Sequence, residues 1–374
     1  MELLLAIVAI VFTFCFIVAF HEFAHLVAAK LFGVKVLKYS IGFGRSIFSK
    51  QIGETEYVVG WIPLGGYVKP LSEDELLQSG FQGDPGSVEG SLESKARWKQ
   101  IVIIAAGSIA NLLLGTLLFF SLYYFLGFKE PTHRVAKVMQ DSPAATAGIL
   151  AGDEIVGVNG NLVKSWEHLT GMIQGSRGEV LNLEILRSGS RVYRKVTPGL
   201  KEVPGTKVWY MGIEPVYVVK KSGFVESVRE SVGLTYTLTA AQIKFFGSLL
   251  KNLVVRKDNS KTESQAVAPA AESADSSDGV MGPIGIFQLL YFAFKDGIRS
   301  FVLVAAILNV GIGFMNLLPI YPIDGGRIFF LLIEVGLRRP VNRQIKMSAQ
   351  TFGILVFLLL LLWGTASDLS RMAR

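Results

Sequence analysis

The chain has 374 residues, 51% of them hydrophobic and only 18% charged, with a formal net charge of +7. A mean hydropathy of +0.44 is too high for an ordinary soluble domain and predicts a polytopic α-helical membrane protein of about four transmembrane helices. One cysteine, Cys15, excludes a disulfide framework or a CxxC site, and positive charge without a basic aromatic patch excludes a nucleic-acid partner.

Residues 1–30 form the first expected span, with an apolar run at 3–20 preceded only by Met1 and Glu2. Lacking a basic n-region, it reads as a retained span and not a cleaved signal peptide. The run ends in IVAFHEFAHLVAAK (17–30), which places two histidines and a glutamate in apolar surroundings. Ionisable groups there are expensive, about 2.5–3.5 kcal/mol for a central aspartate, so something must offset them. Residues 36–70 alternate β-branched and aromatic residues with glycines, which predicts two β-hairpins or a small curled sheet. Its apolar content predicts a membrane-associated loop that dips into the bilayer where protein or water satisfies its backbone. A small cytoplasmic sheet fits the same pattern. Residues 72–95 are acidic, Ser/Gly-rich and read as loop, and 97–127, built on the apolar run 101–126, form the second span.

Residues 131–215 read as an inserted α+β module: a strand, a short helix at Pro143–Ala147, a turn at 151–153 and a strand ended by Asn159-Gly160. A helix at Ser165–Ile173 and further strands follow. The stretch SPAATAGILAGDEIVGVNG (142–160) resembles the PDZ fold in its bacterial, circularly permuted form. WYMGI (209–213) is similar to the carboxylate-binding loop of such domains, which implies a peptide C-terminus as partner at Tyr210, Met211, Gly212 and Ile213. Residues 222–256 are apolar but interrupted by Glu226, Arg229, Glu230, Lys244 and Lys251, and are expected to be an interfacial amphipathic segment. Residues 257–279 read as a disordered tether. A third transmembrane region, 280–326, carries the apolar run 301–323, and the fourth span, 348–367, carries 350–366.

Basic residues crowd the stretch between the first two spans, from Lys30 to Lys99, and that between the last two, from Arg327 to Lys346. The positive-inside rule puts both in the cytoplasm and leaves the termini and residues 127–299, with the inserted module, outside.

The chemistry centres on His21-Glu22-Phe23-Ala24-His25, an HExxH. Positions i and i+4 share a helix face, so both imidazoles reach one metal ion while Glu22 stands beside them as a general base. In a soluble helix the pattern is weak; inside an apolar span, a polar face has no other reason to exist. A catalytic zinc needs about three protein ligands. Asp324, in MNLLPIYPIDGGRI (315–328), is the candidate third ligand, because the ends of the first and third spans meet at one depth on the cytoplasmic side. An Asp-Gly-Gly reads equally well as a turn.

HExxH in the first span, the glycine-bearing β-loop around Gly42–Gly44, ARWKQIVIIAAGSIANLLLG (96–115), the PDZ-like module, GPIGI (282–286) and the N-x-x-P…D-G-G stretch occur here in one order. Together they resemble the bacterial site-2 proteases, intramembrane zinc metalloproteases of the type that cuts anti-sigma factors, and the resemblance covers nearly the whole chain. It implies one Zn2+ held by His21, His25 and Asp324, with Glu22 as general base. It further implies substrate-binding positions at Asn316, Pro319, Gly42, Phe43, Gly44 and Asn111, with the β-loop adding the substrate as a strand. The implied setting is the bacterial inner membrane, and the implied substrates are single-span proteins already cut once outside. The sequence departs from the pattern at Tyr321, where a proline is usual, at Ser108, and in carrying one PDZ-like module. Two other readings compete: an inactive PDZ membrane adaptor, which should have lost Glu22 or a ligand, and a zinc transporter, which needs ionisable groups at both membrane depths.

Overall fold

The computed structural model describes residues 2–203, 206–254 and 281–373. The expected tether, 257–279, lies outside the described residues. The chain divides into a helical unit (1–122, 225–243 and 279–374) and a β-rich unit (123–224 and 244–278).

The helical unit opens with α1 (Glu2–Leu31), one unbroken helix through the HExxH. Strands β1 (Val36–Ile52) and β2 (Thr55–Pro70) follow, turning at Gly53. They make more than a plain hairpin. Tyr39 pairs with both Val68 and Tyr57, and Ser40 with both Tyr67 and Val58, so the first part of β1 is flanked on each side by a part of β2. The fold-back occurs at Gly42 and Gly44, both at positive φ, where glycine carries no Cβ penalty. This is the curled form of the expected sheet, with Ser46–Ile52 and Gly66–Pro70 at its edges. After a short helix α2 (Glu73–Gln78) comes α3 (Arg97–Ser121), which closes on a π turn at Leu122–Leu126.

In the β-rich unit, β3 (Phe128–Val138) precedes α4 (Pro143–Thr146), β4 (Glu154–Val158), β5 (Asn161–Leu162) and α5 (Trp166–Gly175). Then come β6 (Leu181–Arg187), β7 (Ser190–Val196), β8 (Gly199–Val203), β9 (Thr206–Tyr210) and β10 (Ile213–Lys220). The sheet runs β10-β3-β4-β6-β7, with β5 against β4 and β8–β9 a separate hairpin. Both helices start on serine caps: Ser142 accepts from the Ala145 amide at 3.2 Å and Ser165 from the His168 amide at 3.2 Å. Val135, Ile155, Leu169, Leu183 and Ile185 are sealed in the core.

The chain returns to the helical unit through α6 (Phe224–Val254), α7 (Pro283–Lys295), α8 (Ile298–Met315), α9 (Asp324–Leu337) and α10 (Arg343–Met372). α1, α3 with its π turn, α8 and α10 are long and apolar enough to cross a membrane. The sequence pattern favoured an interfacial helix at 222–256. The structure instead packs its first half on the bundle, with Ser227 and Ser231 buried and Thr235 Oγ1 at 2.9 Å from Thr116 Oγ1 of α3. The apolar run 301–323 is likewise not one helix. α8 stops at Met315, and the prolines at 319 and 322, which lack an amide hydrogen, leave a loop before α9.

Glycines set the spacing inside this bundle. A Cβ on Gly313 of α8 would lie 3.0 Å from the Ser108 carbonyl oxygen, and one on Gly115 of α3 only 3.3 Å from that of Ala306. Such close backbone approach is how helices associate where lipid is as apolar as leucine. Two buried carboxylates tie the helix ends. Asp368 of α10 accepts the Gly282 and Gly285 amides at 3.1 and 2.8 Å, capping α7. Glu334 of α9 meets Arg97 at 3.2 Å, Lys346 at 2.7 Å and the Val341 amide at 3.2 Å.

Asp153 organises the β-rich unit. Its buried carboxylate accepts two bonds from Arg187, at 2.7 and 2.8 Å, and one from the Leu150 amide at 2.9 Å. Burial pushes this carboxyl up, but Arg187 and the Leu150 amide outweigh it and hold it below the usual range. Asp153→Asn should loosen the unit by about 1.5–3 kcal/mol, read as faster hydrogen exchange along β4. Since the folded carboxyl titrates below its unfolded value of about 3.9, the pair's contribution is complete above that pH and is lost only as pH falls through the lowered value.

Candidate metal centre

Helix α1 presents His21 and His25 on one face, with ring centroids 4.8 Å apart and planes at 78°. Their Nε2 atoms are 3.1 Å apart, and Asp324 Oδ2 lies 3.2 Å from each. The three form a nearly equilateral triangle of donor atoms. A tetrahedral ion with ligands at about 2.0–2.1 Å has ligand atoms about 3.3–3.4 Å apart, so the triangle fits one face of such a shell. Two further observations agree. His25 Nδ1 donates to the Ile103 carbonyl at 2.8 Å, which fixes the tautomer and leaves Nε2 as a bare lone pair. Asp324 Oδ2 is buried without a hydrogen bond among the described residues, an expensive state for a carboxylate oxygen unless a cation shares it.

Asp324 arrives as the first residue of α9 and not within a turn. The two glycines after it explain the motif. The loop backbone at Leu317 and Leu318 crosses where a Gly325 side chain would be, and the Tyr321 amide nitrogen lies 2.5 Å from where a Gly326 Cβ would be. The Gly325 amide donates to the Asn316 carbonyl at 2.7 Å, closing the loop onto the helix start. From the other side the Tyr321 carbonyl occupies the space that a side chain on Gly353 of α10 would fill.

A cavity of about 230 Å³ adjoins the triangle, lined by Val18, His21, Glu22, Asn111, Ile312, Asn316, Ile323 and Asp324. Glu22 therefore shares one chamber with two of the three donors, His21 and Asp324, while His25 is not on its wall. Of the other residues named from the sequence, Asn111 is fully buried on the wall and Asn316 is half-buried there. Pro319 is exposed in the loop and does not line the cavity. Gly42, Phe43 and Gly44 occupy the fold-back of the sheet, with the Phe43 ring stacked on Tyr67 at 6.2 Å, and they too are absent from the cavity wall. In the β-rich unit, Tyr210 ends β9 and Ile213 begins β10, while the Met211 and Gly212 carbonyls accept the Ala144 and Met139 amides at 2.9 and 2.8 Å.

Sequence reasoning missed two residues of the site, both glycines. A Cβ on Gly107 of α3 would lie 2.6 Å from His21 Nε2 and press on His25 as well, so α3 reaches the histidines only because this position is bare. Gly66 of β2 lies beside the base: a Cβ there would only touch Glu22 Cγ, at 3.4 Å, and the close approach that its bareness allows is to the Ser40 carbonyl oxygen, at 2.7 Å. Neither carries chemistry, and the signal was Gly107 standing on the face of an apolar helix opposite the HExxH.

The arrangement defines a class: a bundle of membrane-length helices that holds an HExxH and an aspartate around one metal position. The chain belongs to peptidase family M50, whose profile matches residues 9–361. It is 26% identical to the zinc metalloprotease RasP of Bacillus licheniformis over 98% of this chain and 99% of that one. It is 25% identical to RasP of Geobacillus kaustophilus over 99% of each. A Mesorhizobium japonicum relative, whose name carries the zinc metalloprotease designation provisionally, is 30% identical over 94% of this chain and 95% of its own. Among solved structures, the PDZ domain of the SdrC-like protein Lin2157 from Listeria innocua matches 22% of this chain and 92% of its own, at 24% identity and a TM-score of 0.20, too slight a likeness to carry an argument.

Gly107→Ala should displace both imidazoles and weaken zinc retention by about 10–100-fold, measured by equilibrium dialysis of the purified chain. Gly233→Ala on α6, where a methyl meets open space, should leave retention unchanged.

Proposed function

We propose that this chain is a zinc-dependent intramembrane endopeptidase, with His21, His25 and Asp324 as the zinc ligands and Glu22 as the general base. The observation that carries the reading is the triangle of donor atoms, two of whose residues, His21 and Asp324, share one cavity with a carboxylate that is not part of it. Zinc, when bound, supplies a Lewis acid for the scissile carbonyl. Glu22 takes a proton from the attacking water as the new C–O bond forms, and returns it to the nitrogen as the C–N bond breaks. His25 holds its orientation through the Ile103 carbonyl, so the donor set is ready before substrate arrives.

A substrate helix hides its amides in its own hydrogen bonds and must be held extended to be cut. The outer edge Gly66–Pro70, which pairs with no further strand among the described residues and whose Gly66 abuts Glu22, is the place where a substrate strand adds to the sheet. Substrates of this kind are single-span proteins of anti-sigma-factor type, cut first outside and then within the membrane. Basic loops put the centre near the cytoplasmic face of a bacterial inner membrane and the β-rich unit outside. That unit acts as a PDZ domain, with the free edge of β10 and the Tyr210–Ile213 loop offered to a peptide C-terminus.

The test uses purified protein in detergent and a single-span substrate without its outer domain, with fragments read by mass spectrometry. Wild type should cut within the span, and Glu22→Gln or a zinc chelator should lower the rate by at least about 10²–10⁴-fold. Inert protein with its full complement of zinc would favour the membrane adaptor instead.

A further inference from the structure

One buried carboxylate of the bundle lies away from both the donor triangle and the cavity. Glu334 of α9 keeps only 3% of its side chain exposed, and groups from three other segments converge on it. Its Oε1 meets Lys346 of α10 at 2.7 Å and accepts the Val341 amide at 3.2 Å, while Oε2 meets Arg97 of α3 at 3.2 Å. Arg97 is itself steadied, its Nη1 donating to Oε1 of the buried Gln100 at 3.3 Å. A carboxylate enclosed to this degree needs its cations, because removing one partner leaves buried charge without compensation.

Spacing links this knot to the metal position. On α9, Glu334 lies ten residues after Asp324; on α3, Arg97 lies ten residues before Gly107, the bare position against the histidines. Ten residues rise about 15 Å on each helix. α9 packs on α3, so the two run antiparallel over equal lengths, with ion pairs at one end and metal donors at the other. On α10, Lys346 stands seven residues before Gly353, where the carbonyl of Tyr321 is seated in the loop that leads into Asp324. A slip of one residue along a helix is about 1.5 Å. That is enough to break the knot and to open the 3.2 Å contacts of Asp324 with both histidines.

We propose that Glu334 is a positioning residue of the metal centre. With Arg97 and Lys346 it fixes the axial register of α9 against α3 and α10, and so the place of Asp324 opposite His21 and His25. It touches neither metal nor substrate. Its effect reaches the donors through about 15 Å of helix, as a set distance.

This rests on the reading of His21, His25 and Asp324 as the metal donors, and the test separates the two. The purified full chain is studied in detergent. Zinc affinity is read by competition with a chromophoric chelator, donor geometry by visible absorption of cobalt(II)-loaded protein, and folding by the melting temperature of metal-free protein. Glu334→Gln should weaken zinc about tenfold, the lower end of the loss when a ligand's orientation is disturbed, and should alter the cobalt bands. Arg97→Gln combined with Glu334→Gln removes a cation and the anion together. Its melting temperature should recover toward wild type, while zinc stays about tenfold weak and the cobalt bands stay altered. Unchanged zinc affinity and cobalt bands in Glu334→Gln would overturn the proposal. So would a zinc affinity that recovers with the melting temperature in the double variant, by making Glu334 a folding group alone. Should Glu334→Gln by itself not fold, the double variant decides. Wild type that binds no zinc, or that keeps its zinc after His21→Ala, overturns the donor set and this proposal with it. Zinc that His21→Ala abolishes and Glu334→Gln leaves untouched overturns the role of Glu334 alone.

Discussion

Everything in the helical unit is arranged around one unfavourable juxtaposition: two imidazole nitrogens and a carboxylate oxygen within 3.2 Å of one another inside an apolar bundle. Among the described residues no side chain outside the cluster hydrogen-bonds the two Nε2 atoms or Asp324 Oδ2, since the histidine nitrogens point at the carboxylate and at each other. A cation is the offset such geometry asks for, and the rest of the bundle serves to keep the three donors from drifting apart. α3 is pressed close by Gly107, Gly115 and its contact with Gly313; α9 is seated on its own loop by Gly325 and Gly326. The ion-pair knot at Glu334 and the cap at Asp368 join helix ends distant in sequence, so displacement of Asp324 has to work against contacts at several places.

Much of this was legible in the sequence, and the part that was not has a common cause. The HExxH spacing puts both histidines on one helix face by arithmetic alone, and Asp324 followed from the need for a third donor at the same depth. The serine caps at Ser142 and Ser165, and the strand ending at Asn159-Gly160, could likewise be read locally. Gly107 and Gly66 could not, because a glycine's role here is the approach of a second element, which no local pattern records. The same holds for the register of β1 and β2. Alternation marks the strands, but only the fold-back at Gly42 and Gly44 lets Tyr39 touch both Tyr57 and Val68. Hydropathy misplaced the end of α8 for a different reason: Leu317, Leu318 and Ile320 keep the run apolar past the point where Pro319 and Pro322 forbid a helix. The charges of α6 concealed a stripe of small hydroxyl residues, Ser227, Ser231 and Thr235, at helical spacing along its packed face.

The Asp-Gly-Gly is instructive because both sequence readings of it were incomplete. As a turn, it would free Asp324 from any helix; as the end of a span, it would place the carboxylate last. In the structure it is a helix start, and an aspartate at the first position of a helix is favoured by the unsatisfied amides and the dipole there. The glycines that look like a turn signal are instead the clearance that lets the preceding loop lie across the helix's first turn.

Hydrolysis inside a membrane asks for two things that lipid denies, water and an unfolded chain. The cavity's polar inventory divides accordingly on the proposed reading. His21 and Asp324 serve the metal and Glu22 the proton, which leaves the two asparagines on the wall, Asn111 and Asn316, without a part in either. The apolar remainder, Val18, Ile312 and Ile323, comes from three different elements or loops, so the chamber closes only when α1, α8 and the start of α9 are in register.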